Sequence, residues 1–236
     1  MHLSLVIPAY NEEKRIGETL RGACAYLAAQ QYNSEIIVVD DGSRDATRAL
    51  VEREFPRIRV VSYQPNCGKG HAVKKGMMAA TGDFRVYFDA DASTPIEELE
   101  KLWPRFEAGA DIVIGSRALP NSDVQLHQTW YRENMGRFYN VILRTLGLTR
   151  FRDTQCGFKG YTAPATQIVF PRVTFSSYSF DAEALFIAEL HGLRIEEVPV
   201  RWINSPHTRV NPITDASRML RDILTIRQKA RQGQYA

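Results

Sequence analysis

The sequence predicts an α/β fold built on a mainly parallel β-sheet. Across the first half of the chain, short apolar runs typical of strands alternate with longer segments of helical periodicity. Such alternation builds parallel βαβ units with helices on both faces of a sheet. Hydrophobic residues make up 44% of the 236 residues and charged residues 24%, which is ordinary for a globular domain. We therefore expect a single domain over residues 1–236.

Five strands and four helices are expected before the chain passes Arg117. Each expected strand is a short apolar run. The expected strands are Leu3–Ile7, Glu35–Val39, Ile58–Ser62, Phe84–Phe88 and Asp111–Ile114. Asn11 occupies an N-cap position before two glutamates, which favour the positive end of a helix. That first helix should end near Gln30. The other expected helices cover 45–54, 69–80 and 97–108.

The regular alternation ends after Arg117. Residues 118–128 are polar and predict an irregular loop beside a site. Helical periodicity then returns in two long segments that are amphipathic, with basic residues on one side. The remaining expected elements are a helix over 131–148, a helix beginning at Phe180, a strand over 194–201, a loop over 202–212 and a helix over 213–229.

Polar side chains follow the ends of four expected strands. These clusters are Tyr10–Glu12, Asp40–Ser43, Asp89 with Asp91, and Ser116 with Arg117. Ligands of parallel sheets bind beyond the carboxyl ends of the strands, so we expect one shared site. Asp89 and Asp91 point the same way if strand geometry persists past Phe88. Two convergent carboxylates suit Mg²⁺ or Mn²⁺ with a phosphate-bearing ligand, and a helix-capping turn is the simpler alternative.

Several familiar kinds of site are not expected. The first strand is followed by Pro8–Glu12, which lacks the G-x-G-x-x-G of dinucleotide-binding folds. Gly68-Lys69-Gly70 lacks two residues of a P-loop, so a glycine turn explains most of it, although Lys69 could reach a phosphate. Three widely spaced cysteines favour a reducing compartment over a disulfide framework or zinc site. Neither a signal peptide nor an apolar run that spans a bilayer is expected.

Positive charge is concentrated in two segments, although the formal net charge is only +3. Residues 130–152 contain five Arg against one Glu, and residues 201–236 contain seven Lys or Arg against two Asp. A basic second half suggests an anionic surface or substrate. The two amphipathic helices fit peripheral docking at an anionic membrane, and ordinary packing on the core is the alternative. The sequence has no RNA-binding motif, so no nucleic-acid partner is expected.

Taken together, these motifs resemble those of the GT-A-fold glycosyltransferases in the large inverting family that includes the polyprenyl-phosphate sugar synthases. The motifs in the first half are Val6–Glu12, Val39–Ser43, Asp89–Asp91 and Gly115–Arg117. In the second half, Arg132–Gly136, Asp153–Lys159 and Phe180–Glu183 are similar to the dolichyl-phosphate glucose and mannose synthase branch. The D-T-Q-C-G-F-K sequence is most similar to the dolichyl-phosphate glucosyltransferases. The resemblance implies a Rossmann-like GT-A fold.

The resemblance also implies a nucleotide-sugar-binding half, 1–117, and an acceptor-binding half, 118–236. The implied donor-binding residues are Pro8, Tyr10, Glu12, Asp40, Asp41, Asp89, Ala90 and Asp91, of which Asp89 and Asp91 would hold Mg²⁺ or Mn²⁺. Ser93 stands where relatives often have Asn or Gln, which leaves a third side-chain ligand unassigned. The implied acceptor- and sugar-binding residues are Arg117, Arg132, Gln155, Asp181, Glu183 and Arg209. The implied catalytic residues are Asp89, Asp91, Arg117, Arg132 and Asp153.

The implied reaction is a metal-dependent, inverting transfer of glucose or mannose from UDP-glucose or GDP-mannose to a polyprenyl phosphate such as dolichyl phosphate. Because the second pKa of a phosphate monoester is about 6, this acceptor needs orientation by guanidinium groups more than a general base. The implied location is cytoplasmic, peripheral to the cytoplasmic face of a membrane. A soluble saccharide or metabolite acceptor is the main alternative. A sugar nucleotidyltransferase is less favoured, because no Gly-rich loop follows the first strand.

Overall fold

The computed structural model describes residues 1–125, 130–204 and 212–236, which form a seven-stranded sheet with helices on both faces. A two-stranded ribbon lies outside this sheet. The strands are β1 (His2–Ala9), β2 (Asn33–Asp40), β3 (Arg59–Ser62), β4 (Phe84–Phe88), β5 (Ile112–Ser116), β6 (Asp123–Gln125), β7 (Phe158–Thr162), β8 (Ile195–Pro199) and β9 (Arg201–Ile203). This architecture confirms the predicted α/β class with a mainly parallel sheet.

Helices follow most of the strands. They are α1 (Ile16–Ala28), α2 (Thr47–Glu54), α3 (Lys69–Ala79), α4 (Trp103–Glu107), α5 (Trp130–Thr145), α6 (Ala163–Val169), α7 (Phe180–Leu190) and α8 (Pro212–Arg231). A 3₁₀ helix over Ile96–Lys101 precedes α4. The helix predicted to begin at Phe180 and the two long C-terminal helices are present at the expected places.

The strand order in the large sheet is β3-β2-β1-β4-β7-β5-β8. Neighbouring strands are parallel except for β7, which is antiparallel to both β4 and β5. The other six strands share one direction, because β4 and β5 both oppose β7. Their carboxyl ends therefore meet at one edge of the sheet, where ligands bind in folds of this kind.

Apolar side chains bury both faces of the sheet. Leu3 and Leu5 of β1 pack with residues of α1, α2 and α4 on one face. Val6, also on β1, packs with residues of α3 and of α5 to α8 on the other face. This alternation follows from strand geometry, in which successive side chains point to opposite faces. The buried side of α1 includes the residues with helical spacing, Ile16, Leu20, Ala23 and Leu27, as the sequence predicts.

Two predicted helix boundaries were wrong. α1 begins at Ile16, and Asn11 lies outside it with a positive φ of 51°. Asn11 instead links two loops, because its N–H donates to Ser43 Oγ at 2.8 Å and its Oδ1 accepts from Arg44 N–H at 2.7 Å. The helix expected over 97–108 is divided between the 3₁₀ helix and α4. Pro104, near the start of α4, has no backbone N–H with which to continue one helix through this point.

The sequence did not predict β7, α6 or the ribbon of β6 and β9. β7 pairs with β4 and β5 although it contains Lys159, a charged residue that does not indicate a central strand. The strand expected over 194–201 ends at Pro199, and the following β9 leaves the sheet to pair with β6. β6 lies in the stretch 118–128 that was expected to be an irregular loop. Residues 126–129 and 205–211, which include parts of two predicted loops, lie outside the described residues.

Candidate functional site

The loops after β1 and β2 are tied together by hydrogen bonds between side chains and backbone. Glu12 N–H donates to Thr47 Oγ1 at 2.6 Å, and Ala46 N–H donates to Glu13 Oε2 at 2.8 Å. These bonds join two strand ends into one connected platform. The platform contains the expected donor residues Pro8 and Tyr10, which are half-buried, together with Glu12.

Asp40 and Asp41 are buried and bind the loops that surround them. Asp40 accepts hydrogen bonds from Ser43 N–H at 3.1 Å and from the Ser62 hydroxyl at 2.9 Å. Asp41 accepts a hydrogen bond from Gly68 N–H at 2.9 Å, which fixes the turn before α3. Both carboxylates therefore fix the loops at this edge of the sheet.

The Asp89 carboxylate is paired with Lys69, the first residue of α3. Lys69 Nζ lies 2.6 Å from Asp89 Oδ1 and 2.9 Å from Oδ2. Gly157 leaves room for this pair, because a Cβ at that position would collide with the carboxylate. Gly157 O also accepts the Asp89 N–H at 3.1 Å. Gly157, just before β7, and Lys69, at the start of α3, thus fix Asp89, the first carboxylate of the D-x-D motif formed by Asp89, Ala90 and Asp91.

Lys69 and Asp89 alter each other's pKa. Burial raises the pKa of Asp89, the Lys69 charge lowers it and the Asp91 charge raises it, with a net upward shift. Burial lowers the pKa of Lys69, but the charges of Asp89 and Asp181 outweigh burial and the net shift is also upward. Lys69 is therefore charged at neutral pH and gives the D-x-D motif a permanent positive partner within the protein.

Asp91 is held more loosely than Asp89. Its Oδ1 accepts the backbone N–H of Ser93 at 3.0 Å. Among the described residues its nearest paired cation is Arg15, whose Nη1 lies 3.9 Å from Oδ2 and whose guanidinium also makes a two-bond contact with Glu12. Asp91 therefore has more coordination capacity left for a cation than Asp89.

The D-x-D carboxylates fit a divalent cation that a substrate helps to bind. Within the described residues, no group of three or more His, Cys, Asp or Glu side chains could hold a metal ion. Mg²⁺ retains several waters and is usually bound through one or two carboxylates together with substrate phosphates. Asp91, with Asp89 beside it at the end of β4, provides that number of carboxylates.

Arg117 and Asp153 form a two-bond ion pair at the end of β5. Arg117 Nε and Nη2 donate to the two carboxylate oxygens at 2.7 and 2.9 Å, and Arg117 N–H donates to Oδ2 at 3.0 Å. The Arg117 side chain is 28% exposed, whereas that of Asp153 is 4% exposed. The guanidinium also lies over the Trp202 ring, 5.4 Å from its centroid. The arginine is thus available to an anion while its carboxylate partner is enclosed.

The loop from Asp153 to Cys156 connects this ion pair to β7. Burial alone would raise the pKa of Asp153, but the Arg117 guanidinium outweighs burial and lowers it to about 2. Gln155 N–H donates to Asp153 Oδ1 at 3.1 Å, and Gln155 Nε2 lies 3.9 Å from Met219 Sδ on α8. Asp89 N–H donates to Gly157 O, directly after this loop, so the D-x-D motif adjoins it.

A buried ion pair lies behind the D-x-D motif. Lys159 Nζ lies 2.6 Å from Asp181 Oδ1, and it donates to Tyr87 Oη at 2.7 Å and to Cys156 O at 2.6 Å. Tyr87 also donates to Asp181. The side chains of Lys159 and Asp181 are 0% and 5% exposed, so their charges are satisfied inside the protein. Asp181 is therefore the buried partner of Lys159 behind the D-x-D motif. Its charge also raises the pKa of Lys69.

Of the remaining predicted residues, the structure describes the side chain of Glu183, which lies away from this cluster. Glu183 is fully buried, and it accepts hydrogen bonds from the backbone N–H groups of Thr174 and Phe175 and from the Tyr235 hydroxyl. These contacts assign Glu183 to the packing of that turn. The side chains of Arg132 and Arg209 lie outside the described residues.

Sequence reasoning gave Lys159 no role and Lys69 only a weak one. Lys159 interrupts the apolar pattern of a strand, and an acidic residue begins the helix α7 that packs behind it. A charged residue in a buried strand needs an opposite charge, so this pattern could have identified the pair of Lys159 and Asp181. For Lys69 the signal was its place at the start of a helix that follows a glycine.

α5 and α8 pack against each other and leave apolar side chains on the surface. Phe138 and Val141 on α5 are 61% and 43% exposed, and Leu224 on α8 is 63% exposed. Arg144 and Arg221 are exposed on the same two helices. The buried sides of these helices are also apolar and include Tyr139, Leu143, Met219, Ile223 and Ile226. None of the helices in the described ranges is long and apolar enough to cross a membrane.

Comparison of sequences relates the chain to sugar-transferring proteins. Residues 4–168 match glycosyl transferase family 2. The chain is 31% identical over 242 residues to the dolichyl-phosphate β-glucosyltransferase of Dictyostelium discoideum, covering 96% of this chain and 74% of that protein. It is also 31% identical over 252 residues to the human dolichyl-phosphate β-glucosyltransferase, covering 99% of this chain and 77% of that protein.

Comparison of structures confirms the predicted GT-A fold. The mannosyl-3-phosphoglycerate synthase of Rubrobacter xylanophilus matches 99% of this chain and 75% of its own, with a TM-score of 0.74 and 20% identity. The Mycobacterium tuberculosis glucosyl-3-phosphoglycerate synthase, crystallised with Mn²⁺, UDP-glucose and phosphoglyceric acid, matches 98% of this chain and 80% of its own. That pair has a TM-score of 0.68 and 22% identity.

Proposed function

Because the chain belongs to glycosyl transferase family 2, and within it to the dolichyl-phosphate glycosyltransferases, we propose that it transfers glucose from UDP-glucose to dolichyl phosphate. One observation favours this reaction above others. The D-x-D carboxylates with Lys69 and the Arg117–Asp153 pair lie at the same edge of the sheet, so the site offers groups for two separate phosphates. Glucose is preferred to mannose because these relatives are named glucosyltransferases.

The donor half of the proposed site is built by β1, β2 and β4. The nucleoside would lie on the platform of Pro8, Tyr10 and Glu12, whose outline is set by Asp40 and Asp41. Asp91, with Asp89 and the backbone of Ala90, would hold Mg²⁺ or Mn²⁺ on the donor diphosphate. Such a cation, when bound, acts as a Lewis acid that stabilises negative charge on a departing phosphate.

The acceptor half of the proposed site is centred on Arg117. A phosphate monoester is mostly dianionic at neutral pH, because its second pKa is about 6. It is therefore already a nucleophile and needs screening and orientation more than removal of a proton. A guanidinium gives both, and the two bonds to Asp153 fix its plane. Attack opposite the departing diphosphate would invert the anomeric centre, and Gln155, two residues after Asp153, would contact the sugar or the acceptor.

A product assay tests this proposal. Purified protein would be incubated with Mn²⁺ and labelled UDP-glucose or GDP-mannose, with dolichyl phosphate or with phosphoglyceric acid as acceptor. We expect solvent-extractable, mild-acid-labile label from UDP-glucose with dolichyl phosphate. Label transferred only to phosphoglyceric acid or another soluble acceptor would contradict the lipid acceptor. Efficient transfer from GDP-mannose and none from UDP-glucose would contradict the donor.

Lys69 is proposed to screen the donor diphosphate. Its ammonium is already beside Asp89, and a flexible four-carbon stem allows it to shift to a phosphate oxygen nearby. In Lys69→Met the stem remains and the charge is lost. Loss of a charge-assisted hydrogen bond costs about 1.5–3 kcal/mol, so we expect kcat/KM for UDP-glucose to fall about 10- to 150-fold.

The matched control for this variant is Lys75→Met, because Lys75 is an exposed lysine on the same helix. Steady-state kinetics with varied donor and with varied acceptor would separate the two substrates. The expected Lys69→Met defect appears with limiting donor and leaves KM for dolichyl phosphate nearly unchanged. Equal donor kinetics in the two lysine variants would remove Lys69 from the proposed diphosphate site.

We propose that α5 and α8 form a membrane-facing surface, defined by the exposed side chains Phe138, Val141 and Leu224. Large apolar side chains beside exposed arginines suit the boundary between lipid headgroups and acyl chains. A lipid-linked phosphate could reach Arg117 from such a surface. The protein would then act as a peripheral enzyme, and three free cysteines agree with the cytoplasmic face, where thiols stay reduced.

Vesicle binding tests the membrane-facing surface. Burying one Leu or Phe side chain is worth about 1.5–3 kcal/mol, so the double variant Phe138→Ser/Leu224→Ser should bind at least about tenfold more weakly. Co-sedimentation with phosphatidylcholine vesicles that contain phosphatidylserine measures this difference. Met78→Ser, which changes an apolar residue exposed on α3, is the matched control. If the double variant and the control bind alike, this surface does not contact the membrane.

A further inference from the structure

We propose that Glu197 and Asn140 are positioning residues that hold Arg117 in place for the acceptor phosphate, and this inference rests on the proposed function. Neither side chain belongs to the predicted site. Both bind the backbone of the loop that contains Asp153, the carboxylate partner of Arg117. They would therefore act through the loop and not by touching a substrate.

The loop before β7 is held by side chains at every consecutive backbone N–H from Phe151 to Gln155. The acceptors, in order, are Thr149 Oγ1 at 3.1 Å, Glu197 Oε2 at 3.2 Å, Glu197 Oε1 at 2.9 Å, Asn140 Oδ1 at 3.0 Å and Asp153 Oδ1 at 3.1 Å. A segment outside helices and strands has no ladder to fix its path. Its shape, and with it the place of the Asp153 carboxylate, therefore depends on these side chains.

Glu197 and Asn140 are themselves fixed by regular structure. Glu197 lies in the middle of β8, in register with Ile114 of β5. Asn140 is buried on α5, and its amide group donates to Gly136 O at 3.0 Å. That bond orients the amide so that Oδ1 meets Thr154, accepting its N–H and also its hydroxyl at 2.8 Å. The loop is thus hydrogen-bonded to β8 through Glu197 and to α5 through Asn140.

The consequence for Arg117 follows from its geometry. Both carboxylate oxygens of Asp153 are bonded to the guanidinium, so a displacement of the loop displaces or rotates the arginine. A misplacement of about 1 Å can cost about a hundredfold in rate when a group must meet a substrate in one orientation. Glu197 brings a second negative charge close to the loop that contains Asp153. Its hydrogen bonds to two adjacent backbone N–H groups offset the repulsion between the two carboxylates, and these bonds exist only while the loop keeps this shape.

Kinetics of four variants tests this inference. Glu197→Ala and Asn140→Ala remove the side-chain hydrogen bonds to the loop backbone. Each has a matched control on the same element. Glu196→Ala alters the neighbouring residue of β8, which pairs with Arg194, and Thr145→Ala alters an exposed residue of α5 that bonds its own helix. We expect the first two variants to lose about 10- to 100-fold in kcat/KM for dolichyl phosphate while the Kd for UDP changes less than about twofold. The controls should match the wild type.

Glu197→Gln separates positioning from simple loss of stability. Glutamine retains one acceptor oxygen for the loop, so its acceptor kinetics should lie between those of wild type and Glu197→Ala. A loss of donor and acceptor use in equal proportion, or kinetics like those of the controls, would overturn the inference. If Glu197→Ala does not fold, Asn140→Ala and Glu197→Gln give the same comparison.

A second readout does not depend on the identity of the acceptor. The Arg117 Nε–H NMR signal reports the guanidinium directly, with or without inorganic phosphate. We expect this signal to shift in Asn140→Ala and Glu197→Gln and to stay in place in Glu196→Ala and Thr145→Ala. An unchanged signal in the first two variants would overturn the inference. A shifted signal in a protein that does not use dolichyl phosphate would instead contradict the proposed function alone.

Discussion

Asp91→Asn should lower the rate of glucose transfer by about a thousandfold, which corresponds to roughly 4 kcal/mol of transition-state stabilisation. Asparagine keeps the shape of the side chain and can still accept the Ser93 N–H. It removes the one D-x-D charge that is not already bonded to a lysine. The variant should fold normally and lose its affinity for Mn²⁺ in the presence of UDP.

Titration of Mn²⁺ with and without UDP, followed by turnover measurements, checks this expectation. Glu18→Gln is the matched control, because Glu18 is an exposed carboxylate in the first turn of the nearby α1. Turnover of Asp91→Asn within a few fold of Glu18→Gln would exclude the D-x-D carboxylates from the reaction. Retained Mn²⁺ affinity with lost turnover would place the cation elsewhere.

Arg117→Gln is expected to have the second large effect, on the acceptor. The acceptor phosphate would lose its guanidinium, and truncating one partner of a hydrogen-bonded charge pair in a binding site costs about 2–5 kcal/mol. We expect kcat/KM for dolichyl phosphate to fall by at least about a thousandfold, with little change in the donor KM. Arg117→Lys, which keeps the charge and loses the planar fork, should give an intermediate value. Arg150→Gln, a change of an exposed arginine, is the control.

The same variant should change the acid sensitivity of the fold. Asp153 has a pKa of about 2 in the protein, below the value of about 3.9 in an unfolded chain. The ion pair with Arg117 therefore contributes stability above about pH 4, and this contribution disappears as the pH falls toward 2. Arg117→Gln should be less stable than wild type at pH 7, and the difference should narrow between pH 4 and pH 2. An equal difference in stability at pH 4 and pH 2 would contradict Asp153 as the partner of Arg117.

The parallel part of the fold was predictable because each strand there is a separate apolar run. β1, β2 and β4 each contain a run of buried apolar residues, Leu5–Ile7, Ile36–Val39 and Val86–Phe88, and polar residues follow each run. β7 has no such run, since Phe158 is followed by Lys159 and Gly160, and Lys159 is paired with Asp181 from a distant helix. The N-cap prediction for Asn11 was wrong for a similar reason, because its partners Ser43 and Arg44 belong to another loop. Contacts between distant segments are not visible in local periodicity.

The position of a site residue was predictable where that residue directly follows a strand of the parallel sheet. Asp89, Asp91 and Arg117 lie at the expected edge of the sheet for this reason. The ion pairs within the site could not be predicted, because their members are far apart in the sequence. Lys69 and Asp89 are separated by 20 residues, and Arg117 and Asp153 by 36. Glu183 is an acidic residue at the start of α7, yet it is bonded to the turn at Thr174 and Phe175 and to the Tyr235 hydroxyl.

We propose that one set of charges serves the donor and another serves the acceptor at a single edge of the sheet. The most direct test measures two quantities in Asp91→Asn and Arg117→Gln, the Kd for UDP with Mn²⁺ and the KM for dolichyl phosphate. We predict a crossed result, in which Asp91→Asn weakens UDP binding and keeps the acceptor KM, whereas Arg117→Gln does the reverse. The same defect in both variants would contradict separate donor and acceptor sites.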